Sequence, residues 1–354
     1  MIDKGYRTMR QFQCDYCEGA HERILKRMME TNMEQTVGYG EDPYCMEAAK
    51  LIKEACDAQQ ADVHFLVGGT QTNLTVIASV LRPYQGVLCV NEGHINVHET
   101  GAIEACGHKV LTLPSKDGKI SAEQIRTYHK NHMEDGSFEH IVQPGMVYIS
   151  HPTELGTLYT LQELEEISKA CRELEMPLFL DGARLGYGLM AKGTDVTLPD
   201  LARLCDVFYI GGTKVGALFG EALVITKESL KKDFRYMIKQ KGGMLAKGRL
   251  LGIQFLTLFE DGLYMELGKH ADKLADQIRE TLDSVKIPYL VENTTNQIFP
   301  IFKDEDLKKI DENFKYSYQQ RVDETHSAVR FCTSWATSSE AVDELCAAIR
   351  EICG

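Results

Sequence analysis

Short apolar stretches alternate with longer helical patterns between residues 62 and 226. Because the short stretches are rich in β-branched and aromatic residues, they predict buried strands, and the stretches between them predict helices. The predicted strands are 62–67, 87–90, 109–113, 146–150, 178–181, 207–210 and 222–226. The predicted helices are 73–81, 95–106, 121–130 and 161–175. This alternation is typical of a mostly parallel sheet sandwiched by helices, so we predict the α/β fold class.

The pattern is different on both sides of this region. Residues 1–40 are polar with a helix at 21–31, and a turn at 38–43 follows. After residue 226, a largely helical stretch to about 283 precedes short strands at 287–291, 298–302 and 329–333 and a final helix at 339–352. We therefore predict an N-terminal arm with a helix (1–40), a large α/β domain (41–252) and a small C-terminal α+β domain (253–354).

Composition narrows the classes of function. The chain has 354 residues, 44% of them hydrophobic, and a net charge of −13. This charge argues against nucleic-acid or anionic-membrane partners, which reward clustered Lys and Arg. No stretch approaches the ~20 apolar residues of a membrane span. Residues 1–7 lack the apolar core of a secretion signal, so we expect a cytoplasmic protein.

The cysteines support the same location. There are 11, scattered along the chain, and an odd number without a signal peptide indicates reduced thiols. Cys14 and Cys17 have CxxC spacing, but neither a second Cys/His pair nor a thioredoxin-like context follows. We therefore predict no metal site.

Two apolar strands end close to residues of complementary chemistry. Asp181 ends the strand at 178–181, and Lys214 follows the strand at 207–210 after two glycines and a threonine. A buried carboxylate can hold a pyridine nitrogen protonated, and a desolvated lysine can form an imine, which is the pair that pyridoxal phosphate enzymes use. Separately, the carboxylate could be a helix cap and the amine a solvated loop lysine.

Other candidates lie just beyond predicted strands. Gly69 and Thr70 begin a turn into a helix, where free backbone N–H groups would suit a phosphate. His94 and His151 also follow strands, and each could move protons or be an ordinary hydrogen-bonded histidine. Because open α/β sheets bind ligands at the carboxyl ends of their strands, we expect these residues to converge.

Two arginines are candidates for a substrate carboxylate. Arg184 lies three residues after Asp181, and Arg330 enters an apolar run. Guanidinium groups match carboxylates in bidentate geometry, although a surface ion pair is the simpler alternative for both.

Several segments together resemble the threonine aldolase/β-eliminating lyase family of fold-type I pyridoxal phosphate enzymes, over essentially the whole chain. The most specific match is Asp-Gly-Ala-Arg-Leu at 181–185, similar to the family's H-x-D-G-A-R-[LI]. Residues 69–74 resemble its phosphate turn, and 94–102 its stacking-histidine segment. Residues 38–43 and 329–331 resemble further family segments.

The resemblance implies a role for each candidate. Lys214 would be the Schiff-base lysine and Asp181 the partner of the pyridine nitrogen. Gly69 and Thr70 would hold the phosphate, and His94 would stack on the ring. The remaining implied roles are substrate or cofactor orientation by Arg184 and Arg330, and a second active-site histidine at His151.

The chain departs from the family pattern in three places. Cys14-Asp15-Tyr16 replaces the family's S-D-T, so the Cys14 thiol would take the place of a serine that contacts substrate. The segment 150–154 differs from E-N-T-H-N, and Glu154 alters the pocket there. In 239–249, a different set of Lys and Arg residues would reach the neighbouring subunit.

The resemblance implies a retro-aldol cleavage of L-threonine-like 3-hydroxy-α-amino acids to glycine and an aldehyde, with Lys214, His94 and His151 as catalytic residues. It also implies a homodimer or homotetramer with active sites at the subunit interface. Two alternatives stay open. One is β-elimination or transamination on the same scaffold, because the fold does not fix which bond breaks. The other is a non-catalytic protein retained for binding.

Overall fold

The computed structural model describes residues 9–354. Residues 1–7, whose polarity argued against a secretion signal, lie outside the described residues, as does the beginning of the predicted arm. Within 9–354, no helix combines the length and apolar character needed to cross a membrane.

The strands form one large sheet and two small ones. They are β1 (Arg10–Gln11), β2 (Asp62–Leu66), β3 (Gln85–Val90), β4 (Lys109–Leu113), β5 (Gln143–Ser150), β6 (Leu178–Asp181), β7 (Val207–Gly211), β8 (Glu221–Ile225), β9 (Gln297–Ile298), β10 (Ile301–Lys303), β11 (Phe314–Lys315), β12 (Ser317–Arg321) and β13 (His326–Cys332).

The helices cover the large sheet and one side of the C-terminal strands. They are α1 (Glu22–Glu30), α2 (Pro43–Ala55), α3 (Gly69–Val80), α4 (His94–Val97), α5 (Ala102–Ala105), α6 (Ala122–Glu134), α7 (Leu161–Glu173), α8 (Leu185–Gly188), α9 (Leu198–Leu204), α10 (Phe234–Gln240), α11 (Arg249–Glu260), α12 (Leu263–Ser284), α13 (Asp304–Ile310) and α14 (Ser339–Cys353).

The large sheet has the strand order β2-β8-β7-β6-β5-β3-β4. All neighbouring strands run parallel except β8, which is antiparallel to both β2 and β7. The prediction of a mostly parallel sheet between helices is thus confirmed. The reversal of β8 has one consequence for chemistry: its first residue, Glu221, lies at the edge where the parallel strands end.

The C-terminal strands form a separate antiparallel sheet in the order β10-β13-β12, with β9 beside β13. The N-terminal strand β1 pairs with β11 in parallel, at Arg10 opposite Phe314. The N-terminal arm therefore packs on the C-terminal part of the chain, and the residues after β1 are directed back toward the large sheet.

The hydrophobic core shows where the two parts meet. Phe255 and Leu267 pack with the large sheet, whereas Leu274 and Ile278 pack with β9, β10 and β13. The change from one core to the other therefore occurs along α12. The predicted division between residues 252 and 253 falls inside α11, and the predicted domain limits otherwise stay a prediction.

Three other local predictions differ from the structure. The helix predicted at 95–106 is two short helices, because Thr100 (φ 51°) and Gly101 (φ 70°) adopt left-handed backbone between them. The predicted strand at 287–291 is only a bridge between Tyr289 and Pro300. The long helical stretch after residue 226 is divided into α10, α11 and α12.

Candidate active site

A cavity of about 530 Å³ opens where β6 and β7 end. This volume lies within the range of small-molecule and cofactor sites. The cavity brings together most of the residues that the sequence predicted for one site, namely Gly69, Thr70, His94, Asp181, Arg184, Lys214 and Arg330.

Asp181 is the floor of this cavity and is held by four donors. Tyr209 donates its hydroxyl to Oδ1 at 2.5 Å, and the backbone N–H of Ala183 donates to the same oxygen at 2.9 Å. Tyr148 donates to Oδ2 at 2.5 Å, and Asn73 Nδ2 donates to it at 3.2 Å. The two tyrosines come from β7 and β5, the strands on either side of β6, so the sheet itself positions the carboxylate.

The surroundings of Asp181 favour its ionised form although the side chain is buried. Burial alone would raise the pKa of this carboxyl, but the charge of His94 and the tyrosine hydroxyls outweigh it and lower the pKa. The side chain is therefore an ionised carboxylate in a water-poor site, which is the state needed opposite a pyridinium nitrogen.

Lys214 lies in the loop between β7 and β8. The hydroxyl of Tyr187 donates a hydrogen bond to the Lys214 carbonyl oxygen, which fixes the backbone at this position. Its side chain lines the cavity, where the amine can reach a bound aldehyde.

Glu221 faces Lys214 from the start of β8 and was not predicted. Its carboxyl accepts hydrogen bonds from the Gly212 N–H at 3.1 Å and from the Thr213 hydroxyl at 3.0 Å. Burial raises the pKa of Glu221 to about 8, even though the two hydrogen bonds and the Lys214 charge favour ionisation. Only the antiparallel direction of β8, which sequence patterns did not reveal, brings this residue to the cavity.

The N-terminus of α3 forms one wall. Its first residues, Gly69 and Thr70, have backbone N–H groups without helical partners, and the N-cap residue Gly68 provides no side-chain cap. A Cβ on Gly69 would lie 3.1 Å from the Tyr209 hydroxyl oxygen, so glycine permits close approach here. Such an exposed helix start is well suited to an anion such as phosphate.

His94 is connected to Asp181 through two further side chains. His94 Nδ1 lies 2.7 Å from Glu99 Oε1, and Asn73 Nδ2 donates to the same oxygen at 2.7 Å. Burial alone would lower the pKa of His94, but the Glu99 hydrogen bond and the carboxylates of Glu154 and Asp181 outweigh it and raise the pKa. The imidazole is therefore held in a fixed orientation at the cavity wall.

Arg184 is anchored from the N-terminal arm. Its Nε and Nη2 donate to the two oxygens of Asp15 at 2.7 and 3.1 Å, and Asn296 Nδ2 also donates to Asp15 at 2.9 Å. Burial would raise the pKa of Asp15, but the adjacent guanidinium lowers it to about 2. Both side chains are nearly inaccessible to water, so this is a buried bidentate ion pair and not a surface ion pair.

Arg330 reaches the cavity from β13. Its Nη1 donates to Gln297 Oε1 at 3.1 Å, and Nη2 donates to the Gln13 carbonyl oxygen at 3.0 Å. Two guanidinium groups, Arg184 from the loop after β6 and Arg330 from β13, thus line the same cavity.

Two predicted residues do not line the cavity. His151 is completely buried behind the wall, where the Tyr159 N–H donates to its Nδ1 at 3.4 Å, and burial lowers its pKa to about 4. Cys14 has its sulfur 3.3 Å from that of Cys17. The neighbouring side chain, Tyr16, lines the cavity instead.

Two further lining residues are His98 and Glu154. The His98 ring lies 5.6 Å from that of His94, and burial lowers its pKa although the charge of Glu154 acts in the opposite direction. The spacing of His94 and His98, one helical turn apart, was the available signal for the second histidine. Within 9–354, no group of three or more His, Cys, Asp or Glu side chains is arranged to hold a metal ion.

Solved structures of other proteins show the structural class to which this fold belongs. The chain superposes on Thermus thermophilus aspartate aminotransferase with a TM-score of 0.70 at 12% identity, over 98% of this chain and 92% of that one. It therefore has the fold of the fold-type I pyridoxal phosphate enzymes. The cavity suits that cofactor, because it combines an anion-binding helix start, a lysine amine and an ionised aspartate.

Proteins of similar sequence show the family of this chain. Residues 11–305 match the beta-eliminating lyase family, and the chain belongs to it. A low specificity L-threonine aldolase of Pseudomonas sp. is 30% identical over 348 residues, 97% of each chain. A solved structure of Leishmania major threonine aldolase is 43% identical with a TM-score of 0.95, over 98% of this chain and 100% of that one. The family and the fold imply dependence on pyridoxal phosphate.

Proposed function

We propose that this protein cleaves L-threonine, L-allo-threonine and related L-3-hydroxy-α-amino acids to glycine and an aldehyde, with pyridoxal 5'-phosphate as cofactor. The observation that carries the proposal is the convergence of Lys214, Asp181 and the α3 N-terminus on one cavity, in a chain whose relatives include threonine aldolases.

The residues that would hold the cofactor follow from the geometry. Gly69 and Thr70 would bind its phosphate, Lys214 its aldehyde carbon and Asp181 its ring nitrogen, and His94 would lie against the ring face. When bound, pyridoxal phosphate withdraws electrons from the substrate Cα, so that a bond to that atom can break. The ionised state of Asp181 favours the protonated ring that this chemistry needs.

The two arginines would orient the amino acid. Asp15 binds Nε and Nη2 of Arg184, Gln297 and Gln13 fix Arg330, and both guanidinium side chains line the cavity. A substrate carboxylate between these two groups would gain charge-assisted hydrogen bonds. The 3-hydroxyl would then lie in the same cavity, which His98 and Glu154 also line.

Proton transfer at the 3-hydroxyl is assigned to the histidines at the cavity wall. The sequence favoured His94 or His151, but His151 lies behind the wall. His98 lines the cavity, and its lowered pKa leaves it unprotonated near neutral pH, so we propose that it accepts the hydroxyl proton. His94, held by Glu99, is assigned to the ring face.

The test is a product assay. Purified protein with pyridoxal phosphate and L-threonine should release acetaldehyde and glycine in equal amounts, and a Lys214→Ala variant should release neither. Pyruvate with ammonia, or a keto acid, in place of acetaldehyde would contradict the aldolase proposal and support β-elimination or transamination on the same cofactor.

We further propose a homodimer or homotetramer in the cytoplasm. All 11 cysteines are free thiols, which supports a reducing compartment. Several apolar side chains between residues 29 and 46 are exposed, which supports self-association.

A further inference from the structure

The pair Cys14 and Cys17 has no role in the proposed reaction, yet the structure places the two thiols in contact. Their Sγ atoms are 3.3 Å apart, Cys17 is exposed and Cys14 is half-buried. The sequence alone gave no reason to favour redox chemistry here, because it could not show this contact. A zinc site would require about four ligands, and the described residues provide only these two sulfurs.

The segment between the two thiols carries the anchor of the substrate site. Asp15 binds Arg184 through two hydrogen bonds and accepts a third from Asn296, and Tyr16 lines the cavity. Any shift in the backbone of residues 14–17 would therefore move Asp15 and disturb the Arg184 guanidinium, which would bind the substrate carboxylate.

We propose that Cys14 and Cys17 form a reversible disulfide, made by a low-molecular-weight disulfide such as glutathione disulfide, that weakens binding of the amino acid by displacing Asp15 from Arg184. The regulatory part of this inference rests on the proposed function. The chemical part, the formation of the bond, does not.

The step is balanced by the oxidant. Two S–H bonds break and one S–S bond forms between the cysteines, and the two electrons and two protons released convert the oxidant disulfide to two thiols. The sulfurs must approach from 3.3 Å to the disulfide length of about 2.05 Å, which requires residues 14–17 to shift.

The environment of Cys17 sets the rate of this step. Burial and the hydrogen-bonded Cys14 thiol raise the pKa of Cys17 to about 12. This thiol stays protonated at neutral pH, and thiolates are the reactive species, so oxidation should be slow and should accelerate as the pH rises. Such a pair responds to sustained oxidation and not to brief exposure.

The experiment uses the holoenzyme, glutathione disulfide as oxidant and glycine as the binding probe. After oxidation, free thiols are alkylated and the peptides are mapped, and glycine affinity is read from the change in cofactor absorbance. We expect a peptide with Cys14 linked to Cys17 and a glycine Kd increased by about tenfold, equivalent to about 1.4 kcal/mol, with both changes reversed by dithiothreitol.

Two variants serve as controls. Cys17→Ser should bind glycine as the reduced enzyme does and should no longer respond to the oxidant, whereas Cys353→Ser, which alters another partly exposed cysteine, should respond fully. The proposal is overturned if the map shows no Cys14–Cys17 link, if the linked enzyme binds glycine unchanged, or if Cys17→Ser still responds. Glycine binding without threonine cleavage would refute the aldolase function alone.

Discussion

At the scale of single residues, the ion pair of Asp15 and Arg184 is the most deeply buried one of the site. Among the ion pairs of residues 9–354, this is the one whose two side chains are both almost completely buried. A buried ion pair stabilises a fold little more than a hydrophobic contact would. Removing one partner, however, leaves the other charge buried without a compensating charge.

Asp15→Asn tests this contact. Because the Arg184 charge would stay buried without its partner, the free energy of unfolding should fall by about 3–5 kcal/mol in urea titrations. As a control, Glu165→Gln removes one partner of an exposed pair with Arg203 and should cost at most about 1 kcal/mol. Equal losses in the two variants would contradict the assignment.

Glu221 gives the apoprotein a defined pH dependence. Its folded pKa of about 8 lies above its ordinary value of 4.5, so the folded state disfavours the charged form. The contribution of this group to stability is therefore fully present below about pH 4.5 and is lost as the pH rises through 8.

Glu221→Gln should remove this dependence, because the amide does not ionise. Between those two pKa values, the wild-type apoprotein should lose roughly 1.4 kcal/mol per pH unit more than the variant, measured by urea unfolding across that range. The matched exposed variant Glu165→Gln should keep the wild-type slope. Parallel curves for wild type and Glu221→Gln would show that Glu221 ionises normally.

At the scale of elements, the start of α3 leaves little room for one additional carbon atom. A methyl group on Gly69 would lie 3.1 Å from the Tyr209 hydroxyl oxygen, tighter than an ordinary contact. Tyr209 has little freedom to retreat, because its hydroxyl is held 2.5 Å from Asp181. The helix start and the floor of the cavity are therefore coupled.

Gly69→Ala should weaken cofactor binding by about tenfold, since overpacking of this kind costs about 1–3 kcal/mol. The measurement is a titration of apoprotein with pyridoxal phosphate, followed by absorbance. Gly136→Ala, where a methyl group meets no atom within 4 Å, is the control and should bind normally. Unchanged affinity in Gly69→Ala would remove α3 from the phosphate site.

The sequence predicted elements well where one local pattern decides them. The strands that end in Asp181 and precede Lys214 are uniformly apolar, so both their type and their placement could be predicted. The helix α2 was missed, although Asp42 accepting from the Cys45 N–H and Pro43 in the first turn are recognisable start signals.

The rest of the site depends on which strands are neighbours. Tyr148 and Tyr209 reach Asp181 only because β5 and β7 flank β6, and Glu221 reaches Lys214 only because β8 is antiparallel. The burial of His151 likewise follows from the path of the loop after β5. Apolar and polar periodicity does not encode strand order, so these contacts could not be predicted from the sequence.

At the scale of the whole molecule, several exposed apolar side chains lie in two adjoining segments. Met33 is 88% exposed and Tyr236 is 77% exposed, and Met29, Val37 and Met46 are also exposed. Residues 29–46 and 235–249 adjoin, because Arg249 donates hydrogen bonds to the carbonyl oxygens of Glu34 and Thr31. Exposed apolar side chains grouped in this way are typical of an interface.

A double variant tests this interface. Met33→Glu with Met46→Glu would place two charges in the proposed interface between subunits. Light scattering at micromolar concentration should therefore give the mass of a single chain. The unmodified protein should give a dimer or tetramer, and Met133→Glu, an exposed methionine on α6, should not change its mass. A single-chain mass for the unmodified protein would contradict the proposed oligomer.

Lys214 and Asp181 are proposed to act on one coenzyme within one cavity. The most direct measurement is borohydride reduction of the protein with pyridoxal phosphate, followed by peptide mapping. We expect a single pyridoxyl label on Lys214, which persists in Asp181→Asn but with reduced occupancy. A label on another lysine, or no label at all, would contradict it.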